Sequence, residues 1–344
     1  MYHTASFAYS DGKLKKERLA FIEEVLKRED VDGTFKTNLY QSLVNHYLAI
    51  NKSDKAKEFG KNIGAIDKWQ MLGEFENISA SGYNKSFGAL EHPESNYKVK
   101  NKIGAEVTWF PVNTLRNDYW LDFEYHFITN NSIVYAQTFV FSPIDQDIEL
   151  RLGTSGSYKM WLNDKLISET DEERNNDLDT YNGKGKLKMG FNRVLIQIGE
   201  SIAGASNLLF RITDQKGIPI KGLAFKNEFQ VYTKDNSSEV SPIVRHFAEG
   251  YFQDKLKVQT NDFISHIMLA FTYLHNQKTF EARKIIKELE AVNPNSLLVL
   301  SLMNQAYTQD KNYSGQSAVL KKMKEVDSLS LYALQLEYNE QMEK

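Results

Sequence analysis

The stretch DIELRLGTSGSYKMWLNDKLISE, residues 147–169, contains the pattern that decides the fold of the middle of this chain. Apolar and polar side chains alternate on both sides of residues 153–156, which is the period of a β-strand with one buried face. Asn163 and Asp164 then form a pair that is typical of a tight turn between strands. We therefore predict a strand, a hairpin loop at residues 153–156, a second strand and a second turn.

Trp161 raises a separate question, because the alternation places it on the face opposite Tyr158, Met160 and Leu162. It is either an exposed platform for stacking a sugar, or covered by neighbouring helices, or packed under a long loop at residues 171–186. Burying a tryptophan stabilises a protein by roughly 2–3 kcal/mol. We therefore favour the interpretation in which the protein's own domains cover it.

The same period of two runs through residues 69–225. Segments with this period, besides the opening stretch, are WQMLGEF (69–75), GAEVTWF (104–110), WLDFEYHF (120–127), SIVYAQTFVF (132–141), NRVLIQIG (192–199) and NLLFRITD (207–214). Clusters of Gly, Asn, Asp and Pro separate them, and no helical crossover pattern intervenes. At least eight short strands of this kind predict a central antiparallel β-sandwich, or jelly roll.

Helical periodicity flanks this region on both sides. Before it, residues 1–68 include apolar stripes at intervals of three to five, as in Leu19, Ile22, Val25 and Leu26, which predict helical hairpins. After it, residues 226–344 begin with a polar linker at residues 233–242 and continue with helices to the end. The predicted fold class is multidomain α and β.

The segment LAFTYLHNQKTFEARKIIKELEAVNP, residues 269–294, resembles a tetratricopeptide repeat. The signature positions are Leu269, Ala270, Tyr273, Ala282, Ile286, Leu289 and Pro294. The large positions recur 34 residues later at Leu300, Met303, Tyr307, Leu320 and Met323, with Asn304 and Gln316 at the small positions. A fainter match begins at Leu43. The resemblance implies a scaffold that binds proteins or peptides, while the alternative is that these helices only brace the β-domain.

The middle region resembles galactose-binding-like and protective-antigen-type jelly rolls, through residues 147–167 and GKGKLKMGFNRVLIQIG, residues 183–199. Sugar-binding members of the second group hold calcium through paired aspartates in the loop before the aromatic strand. Residues 153–156 occupy that loop here and carry no carboxylate. Asp177 and Asp179 are the alternative source of oxygen ligands.

The order of helices, sandwich and repeats, with residues 142–164 and 192–201, is similar to the non-catalytic portion of large bacterial exported proteins that elsewhere carry a transglutaminase-like domain. The resemblance implies a periplasmic or cell-surface location. Residues 1–16 lack the apolar core of a signal peptide, so we expect that signal to be absent from this chain. Such a catalytic domain uses a cysteine, and this chain has none.

Composition excludes several function classes. A net charge of -3, from 42 Lys and Arg against 45 Asp and Glu, predicts no nucleic-acid partner. No run of apolar residues has the length of about 18 that a membrane span needs, so we predict no membrane insertion. The absence of cysteine removes thiol nucleophiles and thiolate metal sites, and the seven histidines lack HExxH or HxH spacing. We predict no cofactor and no metal.

These patterns together predict a non-enzymatic binding or scaffolding module of a larger bacterial cell-envelope protein, which contacts proteins or peptides through its helical repeats. The alternative is a glycan-binding accessory module of a polysaccharide-processing system, binding through the sandwich loops. A third interpretation is an enzyme whose site is assembled from distant carboxylates. The candidate ligand-binding residues are Trp161, Asn163, Arg174, Asp177 and Asp179.

Overall fold

The structure is a computed structural model that describes residues 12–113, 116, 118–128, 130–201 and 206–342. By its contacts the chain divides into two compact units, Met1–His246 and Phe247–Lys344. The amino-terminal helices and the β-strands therefore belong to one unit, as does the whole polar linker at residues 233–242. The three-domain division at residues 68/69 and 225/226 stays a prediction.

In the described part of the chain, three α-helices precede the strands: α1 (Gly12–Lys27), α2 (Gly33–Ala49) and α3 (Ser53–Gly60). Asp32 caps α2, because its carboxylate accepts a hydrogen bond from the backbone N–H of Thr34. The predicted apolar stripes are buried in one cluster, which also contains Leu178 and Leu209 from the β-region. The helices are thus confirmed, and they pack against the strands.

Thirteen strands follow within the described residues. They are β1 (Lys68–Glu76), β2 (Val99–Lys100), β3 (Glu106–Val107), β4 (Phe110–Asn113), β5 (Leu121–Asp122), β6 (Ser132–Ser142), β7 (Gln146–Leu162), β8 (Lys165–Asn175), β9 (Tyr181–Leu187), β10 (Gly190–Glu200), β11 (Asn207–Thr213), β12 (Ala224–Lys226) and β13 (Ile243–Val244). Eleven of them form one curled antiparallel sheet whose main order is β13-β9-β7-β10-β6-β1-β4, while β2 and β3 pair with each other. This sheet confirms the prediction that the middle of the chain is antiparallel β-structure, and its curl is compatible with a sandwich.

The strand β7 corrects the prediction for the opening stretch. Residues 153–156 are not a hairpin loop, because β7 runs without interruption through them. Its first half pairs with β9 and β11, and its second half pairs with β8 and β10. At Gly153 the backbone of Asp177 passes so close that an added Cβ would lie 2.5 Å from its carbonyl oxygen. Glycine is therefore required by close packing and not by a turn.

Two further segments differ from their predictions. Residues 171–186 are not a long loop, because β8 and β9 occupy most of them. Residues 120–127 are not a strand either: only β5 pairs, with β11, and a 3-10 turn follows at Phe123–Tyr125. Asp122 caps this turn by accepting a hydrogen bond from the backbone N–H of Glu124. The turn directs the chain to the edge of the sheet next to β4.

The second unit contains α4 (Phe247–Val258), α5 (Phe263–His275), α6 (Thr279–Val292), α7 (Leu297–Gln309), α8 (Tyr313–Val326) and α9 (Leu331–Met342). Successive helices pack against one another, and α5 also packs against α7. Ala270 and Ala282 are both fully buried in their common core. The start of α7 lies 34 residues after that of α5, and the same holds for α8 and α6. Among the residues that the structure describes, none of the helices combines the length and apolarity of a membrane span.

Candidate functional site

An open cleft of about 630 Å³ lies where the strand order ends at β4. Its volume falls within the range of small-molecule sites, roughly 300–1,000 Å³. The lining residues come from β1, the β2–β3 hairpin, β4 and the turn after β5: Gly73, Glu74, Asn101, Val107, Thr108, Phe110, Glu124, Tyr125, His126, Phe127 and Ile128. Three separate segments of the chain therefore meet in it.

One wall of the cleft is aromatic. The rings of Phe110 and Phe127 meet edge to face with their centroids 5.6 Å apart, and the ring of His126 lies 6.1 Å from that of Phe110. The backbone N–H groups of His126 and Phe127 both donate to the carbonyl oxygen of Phe123, which fixes the turn. Tyr125 remains 67% exposed at the rim. Its ring offers an apolar face with a polar tip to a ligand.

The carboxylate of Glu74 also lines the cleft, and its side chain is only 10% exposed. Glu74 lies within a register shift in the pairing of β1 with β6, between Leu72 and Phe75. Its Oε2 atom is buried and accepts no hydrogen bond. Lys102 Nζ lies 3.3 Å away. Lys102 therefore forms an ion pair with this carboxylate and offsets its charge.

The ammonium group of Lys102 also binds the chain that follows the aromatic turn. Nζ donates to the carbonyl oxygens of Ile128 at 2.8 Å and Asn130 at 3.1 Å, and to Ser132 Oγ at 2.7 Å. An ammonium group has three N–H bonds, and these three acceptors use them. Lys102 thus holds Ile128, Asn130 and Ser132 in place while it pairs with Glu74.

Two carboxylates line the cleft, and Lys102 offsets the charge of one of them. Among the described residues that line it, the formally charged side chains are Glu74 and Glu124. Burial lowers the pKa of His126 from its ordinary value, because desolvation disfavours the charged imidazolium, although Asp122 opposes this shift. His126 is therefore neutral at neutral pH and does not offset the two carboxylates.

Trp161, the first residue predicted from sequence, is 9% exposed and is not a stacking platform. The predicted faces are correct, since Tyr158, Met160 and Leu162 lie in the main core and Trp161 lies in a separate cluster. That cluster includes Ala89 and Trp109, so the cover is the segment before β4. Neither the helices nor residues 171–186 provide it.

Asn163 has a structural role in the turn between β7 and β8. It is 2% exposed, its Nδ2 donates to Asn192 Oδ1 at 2.8 Å, and its Oδ1 accepts from the backbone N–H of Arg193 at 2.9 Å. Asn163 and Asp164 both have positive φ, of 51° and 68°, which is typical of a type I′ hairpin turn. Asn163 also lines a second cavity of about 520 Å³, whose lining mixes acidic and basic side chains.

Asp179 forms a buried ion pair, and its role as an alternative metal ligand stays a prediction. It is fully buried, and its Oδ2 accepts hydrogen bonds from Thr34 Oγ1 at 2.7 Å and from Arg211 Nη1 at 3.0 Å. Asp177 is partly exposed, and Arg174 forms an ion pair with Glu172. Within the described part of the chain there is no group of three or more His, Asp or Glu residues that could hold a metal ion.

The sequence reasoning missed the cleft because its aromatic residues were assigned to a strand. Phe123, Tyr125 and Phe127 alternate with polar residues, so their local pattern is that of a strand. The one available signal was Asp122, a residue type that often caps turns. Nothing local to Glu74 distinguishes it from a solvent-exposed strand residue.

No protein-family model matches this sequence, and no curated protein matches it. The tetratricopeptide, jelly-roll and transglutaminase-like resemblances are therefore not confirmed by a family match.

Several solved structures with local similarity are glycoside hydrolases. The β-glucosidase from Kluyveromyces marxianus in complex with glucose is 15% identical with a TM-score of 0.26, and the match covers 43% of this chain and 16% of the enzyme. A β-glucuronidase from an uncultured Clostridium sp. is 15% identical with a TM-score of 0.25, and the match covers 44% of this chain and 29% of the enzyme. An α-xylosidase from Xanthomonas citri is 10% identical with a TM-score of 0.22, and the match covers 56% of this chain and 18% of the enzyme. The match spans less than a third of each enzyme, and at such TM-scores nothing about fold, activity or ligand follows for this chain.

Proposed function

We propose that this protein is a non-enzymatic carbohydrate-binding module and that the cleft beside β4 is its binding site. The observation that carries the proposal is the exposed ring of Tyr125 in a cleft that the Glu74 and Glu124 carboxylates also line. A pyranose ring has an apolar C–H face that stacks on an aromatic ring, and hydroxyl groups that donate to carboxylates. Both kinds of partner line the cleft.

The resemblance of the middle region to galactose-binding-like jelly rolls also supports this proposal. The curled sheet fits that architecture, since β7 pairs with different strands along its two halves. We assign no catalytic step, because the features that support a function here are a stacking surface and hydrogen-bond acceptors. The site differs from the predicted one at Trp161, whose ring is covered.

A glycan array probed with the 344-residue chain tests the proposal. Tyr125→Ala removes the exposed ring, and we expect binding of any recognised glycan to weaken about tenfold or more. Tyr313→Ala is the matched control, since Tyr313 is 72% exposed but lies on α8 in the second unit. Silence across a broad array, or equal losses in both variants, contradicts the proposal.

Peptide binding by the second unit is the second candidate function. The 34-residue offset between equivalent helices supports a tetratricopeptide-type array. A groove of about 570 Å³ in this unit is lined partly by Phe263, Leu289 and Val292, and Val292 is 76% exposed. Selection of apolar peptides from a display library, followed by loss of their binding in Val292→Asp, tests this candidate.

A further inference from the structure

We propose that an exposed face of α9 is a docking surface for an amphipathic helix of a partner protein, which packs on α9 as α6 packs on α5. The face consists of Leu331, Leu334 and Tyr338, and we call it the α9 stripe. The inference concerns the second unit and is independent of the carbohydrate-binding function proposed above. It is argued from the exposure of the stripe and from the packing of the helices that precede it.

The α9 stripe is apolar and exposed. Leu331 is 80% exposed, Leu334 is 43% exposed and Tyr338 is 61% exposed. Their spacing of three and four residues places the three side chains on one side of the helix. Single apolar side chains are common on protein surfaces, but an apolar stripe with this spacing is typical of a helix that packs against another element. The stripe therefore has the form of a helix-helix contact.

The equivalent positions on the two preceding helices of the same kind are covered. The starts of α5 and α7 lie 34 residues apart, as do the starts of α7 and α9. Leu334 therefore corresponds to Leu300 on α7, and Tyr338 corresponds to Asn304 on α7 and to Ala270 on α5. These three counterparts are all buried. The face that is exposed on α9 is thus one that the array covers on α5 and α7.

The helix that follows in the chain provides the cover in both cases. On α5, Nε2 of His266, at the position of Leu334, lies 3.9 Å from Oε2 of Glu288 on α6. On α7, a Cβ added to Gly315 of α8 would lie only 2.8 Å from the ring of Tyr307. The same kind of neighbour, a helix, therefore fits the α9 stripe.

The sequence of α6 indicates the chemistry of that helix. Its buried side chains are Ala282, Ile286 and Leu289, a small residue followed by large apolar ones four and seven positions later. A small residue is needed opposite Tyr338, which stands where α5 has Ala270, because two large side chains at one point keep helices apart. We expect this pattern in the partner helix.

A second copy of this chain fits the α9 stripe less well than a helix of the α6 type. The α6 helix of a second copy is already packed on its own α5, with Ala282 fully buried. The α9 stripe of a second copy contains only large side chains, so it lacks the small residue that Tyr338 requires. We therefore assign the surface to a partner protein.

A synthetic peptide of residues 277–294, with blocked termini and a fluorescent label, is the probe for this surface. Titration with the 344-residue chain should give a saturable rise in fluorescence anisotropy, with a dissociation constant below about 100 μM. A peptide of the same length with Ile286→Asp and Leu289→Asp should bind about tenfold or more weakly, because its apolar stripe is interrupted. If the unmodified peptide shows no saturable binding up to about 1 mM, the inference is overturned.

Leu334→Asp in the chain locates the binding surface. It places a charge in the middle of the stripe, and we expect peptide binding to weaken about tenfold or more. Leu298→Asp is the matched control, because Leu298 on α7 is 44% exposed and undergoes the same chemical change outside the stripe. Circular dichroism checks that both variants fold. If Leu334→Asp does not fold, Leu331→Asp, at the more exposed start of α9, replaces it.

Two results with the variants contradict the inference. One is equal peptide binding by the wild type and Leu334→Asp, and the other is an equal loss in Leu334→Asp and Leu298→Asp. Sedimentation velocity without peptide tests the other occupant. A wild-type dimer that Leu334→Asp dissociates also overturns the inference, because the stripe would then join two copies. The cleft beside β4 is tested separately by the glycan array.

Discussion

Removing the carboxylate charge of Asp179 should destabilise the first unit far more than an ordinary surface substitution. The side chains of Asp179 and Arg211 are both fully buried and meet at 3.0 Å, where a hydroxyl from Thr34 on α2 also reaches the carboxylate. Arg211 donates in addition to Thr37 Oγ1 and to the carbonyl oxygen of Gly217. The pair thus joins the amino-terminal helices to β11.

The expected loss of unfolding free energy in Asp179→Ala follows from the contacts that Arg211 loses. Two hydrogen bonds to a charged group are lost, each contributing about 1.5–3 kcal/mol, and the Arg211 guanidinium stays buried without its counterion. Breaking a buried ion pair from one side costs about 3–5 kcal/mol, and we expect the free energy of unfolding to fall by that amount. Burial already lowers the pKa of Arg211, which indicates that its charge is costly to bury.

Equilibrium unfolding in urea, followed by tryptophan fluorescence, measures this loss. All four tryptophans of the chain lie between residues 69 and 161, so the signal reports the first unit and not the second. Asp171→Asn, at an exposed position on β8, is the control and should change stability by less than about 0.5 kcal/mol. The double variant Asp179→Leu with Arg211→Met should lose less than the sum of the two single variants, because it leaves no unpaired charge.

A loss below about 1 kcal/mol in Asp179→Ala, or additive losses in the double variant, would refute this reasoning. The ion pair would then not be the contact that holds α2 to the sheet. Either result would also reopen the assignment of Asp179 as a ligand-binding residue.

Two further predictions concern charge burial and backbone geometry in the same unit. Desolvation raises the pKa of Asp32, so its ionised form lowers the free energy of unfolding at neutral pH. Asp32→Asn still caps α2 and should therefore be more stable than the wild type at pH 7. This difference should disappear as the pH falls below the unfolded-state pKa of about 3.9. Urea unfolding at several pH values checks this, and an advantage that grows toward acid pH contradicts it. Gly156→Ala should destabilise the protein more than Gly190→Ala. Both glycines have positive φ, of 98° and 97°, so the backbone strain of the two variants is similar. A Cβ at Gly156 would lie 2.5 Å from the carbonyl oxygen of Gly199, whereas Gly190 faces open space. Equal losses of unfolding free energy in these two variants would show that backbone strain alone sets the cost.

The sequence alone determined which stretches are strands and helices wherever a long regular period was present. The alternation in residues 132–141 and 192–199 predicted β6 and β10, and the 34-residue recurrence predicted the spacing of the helices in the second unit. The two faces around Trp161 followed from the same alternation. These are local properties, because the geometry of a strand or helix places its own side chains on faces without reference to the rest of the chain.

Only the tertiary structure decided what each stretch contacts. Residues 153–156 have the composition of a turn, yet four neighbouring strands pair with β7 on either side of them and keep it extended. Asp179 meets Arg211, and Glu74 meets the aromatic turn after β5, across separations in sequence that no local pattern encodes. Burial, ion pairing and the shape of a cleft depend on segments that fold together from different parts of the chain, so the candidate site had to be identified from the folded protein.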